Sequence, residues 1–223
     1  MRHAVVLSGT ILDDAAVRNW LAGADRLICA DGGARHLRRM NLLPDLLIGD
    51  MDSILSEDKD WLASHHVPIQ KFPAVKNQTD AELAIRAAMS GLPEPRGAHQ
   101  LLVAGAFGSR PDHVLANQLL AASLASLGWR FTLTDGRSWL YTLTGGQNLE
   151  LQQIDLPAGT LAVSAIPITP ETTGLTYEGL AYPLQDARLS LGSTLGVSNL
   201  ISDFPVKISL ESGILLVIIT PED

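Results

Sequence analysis

Short apolar runs alternate with amphipathic segments over the first 128 residues. The apolar runs predict five strands, at 3–8, 25–30, 44–49, 67–72 and 99–107. Helical spacing between them predicts five helices, at 13–23, 32–41, 56–66, 79–91 and 112–128. Five strand–helix units in a row require a mainly parallel sheet with right-handed connections. We therefore predict an α/β domain with helices on both faces of its sheet.

The pattern changes at Trp129, where seven short strand-like runs follow one another without a helical period between them. Gly, Pro, Asn and Asp separate these runs, which is typical of an all-β sandwich. Gly145 and Gly146 give the strongest boundary signal, so we predict an α/β domain at 1–143 and a β-sandwich domain at 144–223. The run at 129–134 is compatible with either sheet.

Composition narrows the class of protein. The formal net charge of −8 disfavours general binding to nucleic acid or to an anionic membrane. A single cysteine, Cys29, excludes an internal disulfide and a multi-cysteine zinc site. The apolar stretch at 214–219 is far too short to span a bilayer, and the first apolar run is too short for a signal peptide. We therefore expect a soluble cytoplasmic protein.

Acidic residues follow nearly every strand of the predicted sheet. Ligands of an open parallel sheet bind beyond the carboxyl ends of its strands. The acidic residues at these ends are Asp31, Asp50, Asp52, Asp80 and Asp112. Carboxylates gathered at one edge repel each other unless a cation lies among them. A site rich in oxygen and poor in histidine suits Mg²⁺, which shares its coordination shell with phosphate.

Each acidic motif also has a purely structural interpretation. The segment 31–33 fits a turn into a helix, and the D-x-D segment 50–52 fits a simple turn. Thr79 fits the N-cap of a capping box, and Asp112 stands where an N-cap would. Their joint placement at one edge favours a functional site, because caps alone have no reason to bring so many acids together.

Two glycine-rich turns accompany the acids. Gly32 and Gly33 begin a predicted helix, and both this turn and the loop 105–110 can direct backbone N–H groups toward an anion. Arg110 adds a guanidinium group, which suits phosphate. Neither turn is a Walker A or a G-x-G-x-x-G motif, so the standard P-loop and dinucleotide folds are not indicated.

Several motifs, taken in order, resemble those of the thiamine pyrophosphokinase family. In the first domain they are ADGGARHL at 30–37, PDLLIGDMDSI at 44–54, NQTDAELAI at 77–85 and GAFGSRPDHVLAN at 105–117. In the second domain, GLAYPL at 179–184 and GVSNLI at 196–201 resemble the thiamine-side motifs of that family. The resemblance covers nearly the whole chain and implies an α/β kinase domain followed by a β-sandwich.

The resemblance implies transfer of a diphosphate from ATP to thiamine, with release of AMP, by a Mg²⁺-dependent homodimer. By matching motif, it assigns catalysis to Asp50, Asp52, Asp80 and Arg110, and Mg²⁺ binding to the three aspartates. The residues expected to bind ATP are Asp31, Gly32, Gly33, Thr79, Gly108, Ser109, Arg110, Asp112 and His113. Those expected to bind thiamine are Tyr182, Ser198 and Asn199. The proton acceptor stays open between Asp80 and an oxygen bound to the metal.

The chain departs from the family pattern at several positions. Asn77 stands where relatives usually carry an aspartate, Ser109 replaces a glycine, and the pair 200–201 replaces an acid and an aromatic residue. These departures keep two alternatives open: a diphosphokinase for another heteroaromatic alcohol, such as a pterin, and a non-catalytic sensor of nucleotide and thiamine. A nucleotide-sugar transferase with a D-x-D motif shares only the metal chemistry.

Overall fold

The computed structural model describes residues 1–156 and 159–222, which form two compact units. The first unit comprises residues 1–120 and 131–136. The second comprises residues 121–130 together with the chain from 137 onward. Each unit corresponds to one of the two architectures that the sequence pattern predicts.

The sheet of the first unit contains six of the described strands. They are β1 (Arg2–Val6), β2 (Arg26–Ala30), β3 (Leu46–Gly49), β4 (Ile69–Lys71), β5 (Gln100–Ala104) and β6 (Arg130–Thr134). Their order is β6-β5-β1-β2-β3-β4, and the pairs from β5 to β4 are all parallel. The strand-like run at 129–134 thus contributes its strand, β6, to the first sheet.

Helices cover both faces of this sheet. The described α-helices are α1 (Asp14–Leu21), α2 (Ala34–Met40), α3 (Ser56–Ser64), α4 (Asp80–Met89) and α5 (Pro111–Ala125). Alternate residues of β1, Ala4 and Val6, share a core with Val17 of α1 and Leu37 of α2. Helix α4 packs against β1, β2 and β3 and is not part of that core. The predicted α/β fold is therefore confirmed.

None of the described helices is long and apolar enough to cross a membrane.

The second unit is an antiparallel β-sandwich, as predicted. Its described strands are β7 (Trp139–Thr144), β8 (Gln147–Leu151), β9 (Leu161–Pro167), β10 (Glu171–Glu178), β11 (Ala187–Ser190), β12 (Asn199–Leu200), β13 (Val206–Leu210) and β14 (Ile214–Pro221). One layer has the order β12-β9-β14-β7, and the other has the order β11-β10-β13-β8. Inward side chains from both layers, such as Val163, Ile208 and Val217, form the core.

The glycine pair at 145 and 146 links the two layers of the sandwich. Its turn leads from β7 into β8, with the N–H of Gly145 donating to Gly213 at 3.0 Å and that of Gly146 donating to Leu210 at 2.8 Å. Residues 137–143 consequently belong to the second compact unit. The division into functional domains at 1–143 and 144–223 stays a prediction.

A buried histidine, His3, makes the stability of the first unit depend on pH. His3 is 4% exposed, and its ring centroid lies 5.7 Å from that of His99. Within the described chain, neither ring nitrogen of His3 has a hydrogen-bond partner. Burial, followed by the charge of His99, holds the pKa of His3 below its ordinary value of 6.5. The unfolded chain binds the proton more readily, so stability should fall as the pH drops through 6.5.

Urea unfolding at about pH 7.5 and about pH 5.5 measures this effect. His3→Phe removes the titrating group, so this variant should lose less stability on acidification than the wild type. The difference has an upper limit of about 1.4 kcal/mol per pH unit. His66→Asn is the control, because His66 is exposed and its φ of +56° is compatible with asparagine. Equal acid sensitivity of the wild type and H3F would contradict the prediction.

Candidate active site

One cavity of about 510 Å³ lies at the carboxyl ends of strands in the first unit. It brings together most of the predicted metal and nucleotide residues. Those that line it are Asp31, Asp50, Asp52, Thr79, Asp80, Gly108, Ser109, Arg110 and His113. Three predicted nucleotide residues, Gly32, Gly33 and Asp112, are not among the lining residues, and neither is Asn77.

Three carboxylates converge where β2 and β3 end. We call Asp31, Asp50 and Asp52 the acidic triad, since one carboxylate oxygen of each lies within 4.8 Å of the others. Asp31 is 5% exposed, and its Oδ2 accepts hydrogen bonds from the backbone N–H of Ser53 at 3.2 Å and from the Ser53 hydroxyl. Its buried Oδ1 has no hydrogen-bond partner in the part of the chain that the structure describes. A bound cation would provide the missing partner for this oxygen.

The backbone at these strand ends turns sharply. Asp31 has a φ of +41° and Met51 has a φ of +70°, both in the left-handed region that non-glycine residues seldom adopt. Such conformations are unfavourable and are frequent at functional sites. A Cβ on Gly49 would lie only 2.8 Å from the Cβ of Asp31. The position of Asp31 therefore depends on the absence of a side chain at residue 49.

Repulsion between like charges affects the pKa values within the triad. The pKa of Asp52 is raised, first by its hydrogen bond with the Asp50 side chain and then by the negative charge of Asp50. The pKa of Asp50 is lowered, chiefly because its carboxylate accepts a hydrogen bond from the backbone N–H of Asp52 at 3.2 Å. An additional cation would relieve this repulsion.

Lys76 is a site residue that the sequence reasoning missed. Its side chain is 12% exposed, and Nζ lies 3.3 Å from Asp50 Oδ2 and 3.2 Å from Asp80 Oδ1. Burial acts to lower the pKa of Lys76, but the two carboxylates outweigh burial and raise it above its usual range. Asp80 is thus connected to the triad through Lys76. No local pattern marks Lys76, because it precedes α4 and lies outside the helical spacing.

The loop 105–110 is held against the end of β1 by close backbone contacts. The N–H of Gly9 donates to the carbonyl of Gly105 at 2.9 Å, and the N–H of Thr10 donates to that of Phe107 at 2.6 Å. Gly105 has a φ of +70°, and a Cβ there would lie 2.4 Å from the carbonyl oxygen of Leu7. Asn117 of α5 donates to Ala106 at 3.1 Å and also lines the cavity. These contacts fix the loop that borders the cavity.

Arg110 forms a bidentate ion pair with Asp112, and both side chains are exposed. Nε donates to Oδ1 at 3.0 Å, and Nη2 donates to Oδ2 at 2.6 Å. The guanidinium holds the pKa of Asp112 well below its usual range. Helix α5 begins at Pro111, which favours the first helical position. Asp112 therefore lies inside the first turn, and its interpretation as the N-cap is wrong.

Thr79 caps α4, as its sequence position predicts. Its hydroxyl oxygen accepts a hydrogen bond from the backbone N–H of Glu82 at 3.1 Å. The Glu82 carboxylate pairs with Arg86 at 2.8 Å, so the reciprocal half of the capping box is replaced by an ion pair along the helix. The Thr79 hydroxyl keeps its own proton for donation toward the cavity, which it lines.

The three predicted thiamine residues lie in the second unit and are close in space. Asn199 is 5% exposed; its Oδ1 accepts from the backbone N–H groups of Tyr182 and Leu200, both at 2.9 Å. Its Nδ2 donates to the carbonyl of Tyr182 at 2.6 Å. Tyr182 is 66% exposed, and Ser198 is exposed with a φ of +59°. Asn199 therefore holds the segment that presents Tyr182.

A parallel sheet with a carboxylate-lined cavity at its carboxyl edge, followed by a β-sandwich, is the architecture of a two-unit α/β protein with a ligand site in its first unit. The family model described as thiamin pyrophosphokinase, catalytic domain, matches residues 17–131. The model described as thiamin pyrophosphokinase, vitamin B1 binding domain, matches residues 152–215. The chain belongs to the thiamin pyrophosphokinase family, which confirms the resemblance found in its motifs.

Known relatives resemble the chain over most of its length. Thiamine pyrophosphokinase of Bacillus subtilis (strain 168) is 27% identical over 191 residues, which cover 86% of this chain and 85% of the relative. The crystal structure of thiamine pyrophosphokinase from Bacillus subtilis matches with a TM-score of 0.84, 25% identity and 100% coverage of both chains. The crystal structure of thiamin pyrophosphokinase from Geobacillus thermodenitrificans matches with a TM-score of 0.81 and 27% identity, and the match covers 100% of this chain and 99% of the other.

Gly49→Ala tests whether the placement of Asp31 determines cation binding. The added Cβ would push Asp31 away from Asp50 and Asp52, so we expect the variant to bind Mn²⁺ at least about tenfold more weakly by calorimetric titration. Gly91→Ala is the matched control, because Gly91 has a φ of +78° with open space around it. Equal Mn²⁺ affinity of G49A and G91A would contradict this role of Gly49.

Proposed function

We propose that the chain transfers the diphosphate group of ATP to the hydroxyethyl oxygen of thiamine, giving thiamine diphosphate and AMP. The observation that carries the proposal is the acidic triad, in which the buried Oδ1 of Asp31 faces no hydrogen-bond donor among the described residues. The relatives named thiamine pyrophosphokinase and the match to a vitamin B1 binding domain support thiamine as the acceptor.

The acidic triad fits Mg²⁺. Its donors are carboxylate oxygens, which Mg²⁺ prefers, and Mg²⁺ commonly completes its shell with water and substrate phosphates. We assign Mg²⁺ binding to Asp50 and Asp52, with Asp31 as a third carboxylate beside them. Asp80, the third ligand expected from the sequence, is the neighbour that Lys76 engages. When bound, the ion supplies positive charge against the phosphate oxygens.

The loop 105–110 and Thr79 are proposed to orient the triphosphate. Gly108, Ser109 and Thr79 line the cavity, and we propose that the backbone N–H groups of the first two and the hydroxyl of the third donate to phosphate oxygens. The partner of Arg110 is an exposed carboxylate, and exposed ion pairs contribute little stability. Arg110 can therefore exchange Asp112 for a phosphate group at little cost. His113 lines the same cavity and completes this side of the nucleotide site.

The contacts of ATP with Gly32, Gly33 and Asp112 stay predictions. Gly32 and Gly33 are buried, and a Cβ on Gly33 would lie 2.4 Å from the carbonyl oxygen of Val6. This distance supports a packing role for Gly33, since any side chain there would separate the short 3₁₀ helix Asp31–Gly33, which precedes α2, from β1. Asp112 pairs with Arg110 and does not line the cavity.

Diphosphate transfer requires alignment and charge compensation more than covalent help. The hydroxyethyl oxygen of thiamine forms a bond to the β-phosphorus and loses its proton, for which Asp80 is the proposed acceptor in the cavity lining. The bond from the β-phosphorus to the oxygen bridging the α- and β-phosphorus atoms breaks, and this oxygen leaves with AMP. The cavity lining carries Asp31, Asp50, Asp52 and Asp80 against the cations Arg35, Lys76 and Arg110. The carboxylates of the lining outnumber its cations, which supports the proposal that a metal ion accompanies the polyanionic substrate.

Thiamine binding is proposed for Tyr182 and Ser198, with Asn199 as the support of Tyr182. An exposed tyrosine ring is available to stack on an aromatic cation such as thiazolium. The amide of Asn199 is occupied by the backbone of Tyr182, so we propose that it positions the ring. The homodimer implied by the family resemblance stays a prediction, which sedimentation equilibrium can test.

Product analysis by phosphorus NMR and nucleotide chromatography tests the proposed reaction with Mg-ATP and thiamine. We expect AMP and thiamine diphosphate in equal amounts. ADP with thiamine monophosphate would contradict diphosphate transfer. No thiamine-dependent product, with folding and nucleotide binding intact, would favour a different acceptor, such as a pterin, or a sensor.

Asp52→Asn should lower turnover far more than stability. Asp52 is exposed, so the fold depends little on it, whereas the triad loses one negative oxygen ligand. We expect kcat to fall by about 10- to 100-fold or more at saturating Mg²⁺, with an unchanged urea midpoint. Asp60→Asn, at an exposed position of α3, is the control. Full turnover of D52N would remove Asp52 from the proposed metal site.

Tyr182→Ala should weaken the binding of thiamine and leave the binding of ATP unchanged. We expect KM for thiamine to rise by about 5- to 10-fold, as for the loss of an aromatic contact to a cation, while KM for ATP stays constant. Leu191→Ala is the control, since Leu191 is exposed to a similar extent, at 61%. An unchanged KM for thiamine in Y182A would exclude a direct role of this ring.

A further inference from the structure

An ammonium group lies directly beside the acidic triad. Lys76 Nζ is 3.3 Å from Asp50 Oδ2, 3.2 Å from Asp80 Oδ1 and 3.2 Å from the carbonyl oxygen of Pro73. Its side chain lines the cavity and is largely buried. Asp50 therefore belongs both to the ion pair with Lys76 and to the acidic triad.

The other positive side chains that line the described cavity are engaged elsewhere. Arg35 donates to the carbonyl oxygen of Ser8, and Arg110 pairs with Asp112. Lys76 is thus the lining cation that directly contacts a proposed metal ligand. It occupies the connection between β4 and α4, where Val75 is 95% exposed and neither a helix nor a strand fixes the backbone.

We propose that the ammonium group of Lys76 fills the cation position beside Asp50 until a divalent ion binds. The ammonium group then moves away from Asp50 and pairs with the phosphate chain of the nucleotide. This inference rests on the proposed function, since it requires the triad to bind a metal–nucleotide complex. A divalent ion on Asp50 repels a neighbouring ammonium and weakens the ion pair between Lys76 and Asp50. Lysine carries a compact charge on a flexible stem, so the released ammonium can reach a phosphate in the same cavity. Lys76 is thus assigned to the binding of the nucleotide phosphates.

Calorimetric titration of the full chain with Mn²⁺ tests this exchange. Without nucleotide, Lys76→Gln should bind Mn²⁺ at least about fivefold more tightly than the wild type, because the competing charge is removed. In the presence of Mn²⁺, the same variant should bind a non-hydrolysable ATP analogue at least about fivefold more weakly, because a phosphate contact is lost. Lys71→Gln, at an exposed lysine in β4, should match the wild type in both titrations.

Unchanged or weaker Mn²⁺ binding by K76Q would overturn the inference, and so would undiminished binding of the analogue. If either of these results is found while the wild type binds both Mn²⁺ and the analogue, the proposed function stands and only the role of Lys76 fails. If the wild type binds neither, both fail. Urea unfolding identifies a variant that does not fold, and Lys76→Met, which retains the aliphatic stem, then replaces K76Q in both titrations.

Discussion

The candidate site of the first unit depends on the mutual repulsion of the three carboxylates in the acidic triad. Parallel strands end at a common edge, so the residues after β2 and β3 bring three carboxylates within 4.8 Å of one another. Such proximity is tolerated only where hydrogen bonds and cations offset the repulsion. Ser53 and Lys76 provide this compensation for Asp31 and Asp50. The same repulsion supports the proposed binding of a divalent cation and, through it, of a polyphosphate.

The surrounding backbone leaves room for this cluster and holds it in place. Residue 49 lacks a side chain where Asp31 needs the space, and Gly105 lets its loop approach the end of β1 closely. In the second unit, the side-chain amide of Asn199 holds the backbone of Tyr182 in place through two hydrogen bonds. Closely packed or hydrogen-bonded segments thus carry Asp31 and Tyr182, which are proposed to take part in binding the substrates.

Much of this arrangement could be predicted from sequence, because strand ends and alternating apolar positions are local signals. They placed Asp31, Asp50 and Asp52 at one edge. The contact of Lys76 with two carboxylates could not be derived, because the connection between β4 and α4 has no periodic pattern. The structural use of Asn199 depends on a contact across 17 residues of sequence, which no local pattern shows. Asp112 is not the cap that its place before the predicted helix indicates, because Pro111 already begins the helix.

Anomalous X-ray scattering from crystals grown with Mn²⁺ and a non-hydrolysable ATP analogue tests the central role of the acidic triad most directly. The expected result is a metal peak within direct coordination distance of carboxylate oxygens of Asp50 and Asp52, with Asp31 beside it and phosphate oxygens completing the shell. A bound analogue with no metal peak at the triad would contradict this role. So would a peak whose ligands come from another part of the chain.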